Sequence, residues 1–150
     1  MAKSRTSRKV IQEKLVATMH TWQKIEDSSV ASTGRVIEKT ENPIVRLIME
    51  IIQRDSQMHH RVQGLIVDSM NKMISLTPDE LGEVWGMIED HIKIEKKTIE
   101  LAQGALESIE GSKGMLVQAY LLEYLMEDEQ KHGALLEKLT NIQKGMYPYG

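Results

Sequence analysis

Apolar residues recur along this chain at spacings of three and four. They fall first at Ile11, Leu15, Trp22, Ile25, Val36 and Ile37, then at Leu47, Ile48, Ile51, Met58, Val62 and Leu65. A third set comprises Val84, Met87, Ile88, Ala102 and Ile109, and a fourth Met115, Ala119, Leu122, Met126, Leu136 and Leu139. Positions three and four apart share one face of a helix, so each set predicts a helix with a single apolar stripe. No stretch alternates Val, Ile or Thr with polar residues between turn clusters, and no strand is expected.

Turn chemistry divides the pattern. Asn42-Pro43 can cap a helix and place proline in its first turn. Thr77-Pro78-Asp79-Glu80 reads as a capping box. Gly111-Ser112-Lys113-Gly114 reads as a short turn. Four helices follow, over residues 7–40, 43–75, 78–110 and 114–142, each about 45–50 Å long. Residues 28–34 hold several poor helix formers, but Val30, Thr33, Val36 and Ile37 continue the stripe, so this stretch is expected to stay helical. Residues 146–150 are expected to be irregular, and no internal sequence repeat stands out. Helices of equal length joined by short connections predict an all-α fold: one domain over 1–150, an antiparallel up-down-up-down four-helix bundle.

Ionisable residues fall on the apolar faces. Projection at about 100° per residue puts Glu26, Asp55, Glu95, His91 and Glu129 within about 35° of their stripe centres, and His59 and His132 within about 55°. His20 and His60 project outward and read as surface residues. Depth is an independent test. Counting rise along antiparallel helices from each turn brings all seven inward residues within about 15 Å, and the four carboxylates within about 8 Å. Carboxylates gathered in a core would repel one another and lose hydration. Two divalent cations would balance four negative charges, and mixed imidazole and carboxylate donors suit iron, manganese or zinc. The expected metal ligands are therefore Glu26, Asp55, His59, His91, Glu95, Glu129 and His132. A buried salt-bridge network is the competing reading.

Composition narrows the function. The chain has no cysteine, which excludes disulfides, thiolate zinc sites and iron–sulfur clusters. Charged residues make up 27% with a formal net charge of -3, giving no general attraction to nucleic acid. Lys3, Arg5, Arg8 and Lys9 read as a solvated helix start. No apolar run reaches the roughly 18 residues that a membrane span needs, and no secretory leader is visible, so a cytoplasmic location is expected. Ten methionines read as core filler, and with long bundle faces they make a homodimer an expectation.

The arrangement resembles the di-iron carboxylate proteins of the ferritin-like group, rubrerythrins included. That family's pattern is Glu on one helix, Glu-x-x-His on the next, Glu on the third and Glu-x-x-His on the fourth. Glu26, Glu95 and Glu129-Gln130-Lys131-His132 match the first, third and fourth elements. The second helix departs, offering Asp55-x-x-x-His59. The short connections are closer to the hemerythrin fold, and His91-x-x-x-Glu95 is similar to a hemerythrin-type pair. The resemblance implies two iron ions that react with dioxygen or peroxide, with an external electron donor because no cysteine-ligated iron domain is present. A non-catalytic metal or oxygen carrier or sensor, and a helical adaptor with a buried polar network, stand as alternatives.

Overall fold

The computed structural model describes residues 2–72, 74 and 76–145, with side chains described from residue 7 onward. The irregular tail expected over 146–150 lies outside the described residues. Five helices follow in order: α1 (Ala2–Lys39), α2 (Pro43–Asn71), α3 (Pro78–Gly82), α4 (Trp85–Ile109) and α5 (Leu116–Gln143). The protein is all-helical, with no strand among the described residues. None of the described helices is long and apolar enough to cross a membrane. The chain divides into two compact units, Met1–Ile74 and Ser75–Gly150.

The first unit is an antiparallel hairpin of α1 and α2. Asn42 caps α2: its Oδ1 accepts from the Ile44 and Val45 amides at 2.9 and 3.1 Å, and Pro43 follows where no amide is needed. The doubtful stretch 28–34 is helical. Two of its hydroxyls bond within the helix, Ser28 donating to the Lys24 carbonyl at 3.1 Å and Thr33 to the Ser29 carbonyl at 2.8 Å. The seam between the helices is polar. Met19, Glu26 and Thr33, seven apart on α1, are buried against Ser56 and Gln63, seven apart on α2. Two glutamines cross it to main-chain carbonyls: Gln23 Nε2 donates to His60 O and Gln53 Nε2 to Val30 O, each at 3.1 Å.

The second unit joins α3, α4 and α5. Thr77 and Glu80 make the expected capping box, the Thr77 amide donating to Glu80 Oε2 at 3.1 Å and the Glu80 amide to Thr77 Oγ1 at 3.4 Å. The predicted third helix is nevertheless broken. After Gly82 the chain turns at Glu83–Val84, the Val84 amide closing a tight turn onto Leu81 O at 3.1 Å, and α4 starts at Trp85. Buried Leu81 anchors the short helix. α2 also ends earlier than predicted: at Lys72 the backbone is extended. The α4–α5 turn passes through Gly111 and Gly114 at φ +73° and +82°, a region that a side chain would strain.

In both hairpins the large apolar residues are offset from the seam. Projected from the buried positions, Trp22 and Ile25 of α1 and Met58 and Val62 of α2 lie on one side of their hairpin. Met87, Ile94 and Leu101 of α4 and Leu125 and Leu135 of α5 do likewise on theirs. These residues are exposed, Trp22 at 47% and Leu101 at 68%.

Candidate metal centre

Glu95 stands at the centre of the α4–α5 seam. The α4 positions 88, 92, 95, 99, 102, 106 and 109 and the α5 positions 119, 122, 126, 129, 133, 136, 140 and 143 are all buried or half-buried. Both series step by three and four, the spacing that holds two helices edge to edge. Glu95 and Glu129 occupy seam positions where an apolar residue is the rule, and Glu95 is only 9% exposed.

Four predicted ligands meet here. Glu95, Glu129 and His132 each turn a donor atom into a group whose members lie within 4.8 Å of one another. His132 Nδ1 is 3.4 Å from Glu95 Oε2 and 3.6 Å from Glu129 Oε2. His91 sits one turn before Glu95 with Nε2 2.9 Å from Glu95 Oε1. The remaining predicted ligands belong to the first unit. Glu26 is buried, and its Oε1 is 3.4 Å from Nδ1 of the exposed His59. Asp55 is half-buried and has no hydrogen-bond or ion-pair partner among the described residues.

Two residues that sequence reasoning did not single out complete the α4–α5 cluster. Thr98, one turn after Glu95 and on its face, directs Oγ1 at Glu129 Oε2 (2.9 Å) and at the Glu95 carbonyl (2.7 Å). Asp128, one turn before His132, lies with Oδ2 3.4 Å from His132 Nε2. Its other oxygen is 2.8 Å from Lys131 Nζ. The i, i+3 and i, i+4 spacings to Glu95 and His132 were the available signals. His60, projected to solvent, is half-buried beside the α1–α2 seam with Nε2 3.6 Å from Asp27 Oδ1. His20 is exposed, as projected.

Electrostatics follow the geometry. The Glu95 carboxyl is held below the ordinary glutamate value, first by its side-chain hydrogen bond with Glu129, while burial pushes the other way and His91 and His132 add to the lowering. An anionic Glu95 therefore faces the Glu129 carboxyl and two imidazoles that are partly open to solvent, His91 at 55% and His132 at 39% side-chain exposure. The donor spacing suits a cation. Two ligands each about 2.1 Å from a shared ion lie about 3.0–3.4 Å apart for octahedral to tetrahedral angles. The 3.4 Å separation from His132 Nδ1 to Glu95 Oε2 sits at the upper end of that range, and the 3.6 Å to Glu129 Oε2 lies just beyond it. His132 Nδ1 is in hydrogen-bond range of Glu95 Oε2 at 3.4 Å, and Asp128 Oδ2 stands at the same distance from Nε2, so each ring nitrogen faces a carboxylate.

Comparison with protein-family models, with curated proteins and with solved structures finds no match for this chain.

Proposed function

We propose that this protein binds two divalent metal ions, iron ahead of manganese or zinc, and uses them in redox chemistry with dioxygen or peroxide. The observation that carries the reading is the convergence of Glu95, Glu129 and His132 in the α4–α5 seam, with Asp128 on the far nitrogen of His132. His91 adds a second imidazole to this set. Glu26, Asp55 and His59 on α1 and α2 are the donors for the second ion. Iron held by these carboxylates and imidazoles would supply the electron transfer. The chain's own residues have three tasks: to hold the ions, to orient His132 through Asp128, and to position Glu129 through the Thr98 hydroxyl. An external electron donor completes the reaction.

We also infer that the apolar sides of the two hairpins are covered in an antiparallel four-helix bundle. Exposed Trp22, Ile25, Met87, Ile94 and Leu101 support this, because apolar residues lined up along one side of a hairpin favour burial.

The test is elemental analysis of protein purified without chelator, with absorption spectra in air and after peroxide. About two equivalents of iron and a visible or near-ultraviolet band that changes with peroxide are expected. Glu129→Gln and His132→Ala should each lose at least one equivalent while helicity by circular dichroism is kept. Zinc alone, or no metal, would overturn the redox reading.

A further inference from the structure

The two hairpins carry a repeat that the apolar pattern conceals. Lys24-Ile25-Glu26 of α1 recurs as Lys93-Ile94-Glu95 of α4, followed three residues later by Ser29 and Thr98 and then by Val30 and Ile99. On the second helix of each hairpin, Glu50, Asp55, Gln57 and His59 recur at identical spacing as Glu123, Asp128, Gln130 and His132. Both series sit at the same distance from the start of their helix, Pro43 in α2 and Leu116 in α5. A longer second connection shifts the two halves of the repeat relative to each other, which hides it from a search at one fixed period.

Contacts repeat along with residues. Glu26 Oε1 to His59 Nδ1 and Glu95 Oε2 to His132 Nδ1 are both 3.4 Å. Ser29 Oγ lies 2.8 Å from Ser56 Oγ, and at the equivalent place Thr98 Oγ1 lies 2.9 Å from Glu129 Oε2. The copies differ at two donor positions. Ser56 stands where the second hairpin has Glu129, and Trp22 where it has His91.

We infer that the α1–α2 hairpin holds a second, weaker copy of the metal site, built on Glu26 and His59, so that the two ions load in order. This rests on the metal reading above. The α4–α5 copy brings two carboxylates and one imidazole together, with the exposed His91 on the other oxygen of Glu95; the α1–α2 copy has one carboxylate and one imidazole, with Asp55 at the place of Asp128. Metal affinity rises with the number and charge of the ligands. The α4–α5 copy therefore fills first. Asp55 has no hydrogen-bond or ion-pair partner among the described residues and is available to the incoming ion or to the His59 ring.

Titration of the full-length chain with Co²⁺ alone, followed by calorimetry and visible absorption, tests this. One ion should bind tightly and a second at least about tenfold more weakly. His59→Ala, a change at an exposed side chain, should abolish only the weak phase, and His132→Ala only the tight one. Ser56→Glu should strengthen the weak phase by at least about tenfold, and Ser56→Asp, which is smaller, should act in the same direction. A single tight ion that His59→Ala leaves untouched, or a weak phase indifferent to Ser56→Glu in folded protein, overturns the second copy and leaves the α4–α5 site standing. A tight phase that survives both His132→Ala and Glu129→Gln overturns the reading beneath it.

Discussion

His132 meets carboxylates with both ring nitrogens, Asp128 at Nε2 and Glu95 and Glu129 at Nδ1. Contacts on both sides hold such a ring in orientation. The same cluster fixes how the metal-free protein answers to acid. Because Glu95 titrates below its ordinary value of about 4.5, its interactions stabilise the fold above that pH. The contribution is lost as pH falls through the lowered value. In chelator-treated protein, urea midpoints measured from pH 5 to pH 3 should fall more steeply for the natural chain than for Glu95→Gln. Equal slopes would mean that Glu95 contributes nothing to acid sensitivity. Most of this cluster was legible in the sequence, because Glu95, Glu129, His91 and His132 sit at helical spacings that bring them to one face. Asp128 and Thr98 escaped because attention to the stripe centre passes over residues at its edge. Those edge positions are where a group must stand to reach the outer side of an inward-facing side chain.

Among the elements, the caps were the most legible feature. Asn42 and Thr77 start helices where turn chemistry said they would, since both satisfy amides that no helix can satisfy for itself. Asn42→Ala should cost about 1 kcal/mol of stability. For a chain of this size that is a fall of about 2–4 °C in melting temperature, readable by circular dichroism. The break between α3 and α4 was not legible. Leu81 and Val84 both suit an amphipathic helix, and it is the tight turn after Gly82 that separates them. The hairpin seams were misjudged for a related reason. Sequence periodicity finds the widest apolar stripe, whereas α1 and α2 meet along Glu26, Thr33, Ser56 and Gln63, beside that stripe.

At the scale of the whole molecule, the all-helical class followed from periodicity alone. The covering of the apolar sides is where a long-range prediction can be made. Leu101→Asp changes a residue that is 68% exposed on its own hairpin. If a bundle buries it, the substitution should cost about 2–3 kcal/mol in urea unfolding, from lost apolar burial and an unpaired charge. A cost within about 0.5 kcal/mol, ordinary for a surface site, would speak against the bundle. The polar seam of α1 and α2 has a consequence of its own. Two helices joined by an oily heptad strip can slide by seven residues and still match grease to grease. Here Gln23 must find the His60 carbonyl, Gln53 the Val30 carbonyl and Ser29 the Ser56 hydroxyl, and one sliding step breaks all three. Donors and acceptors thus act as an alignment gauge, and the setting they permit is the one that lays His59 beside Glu26.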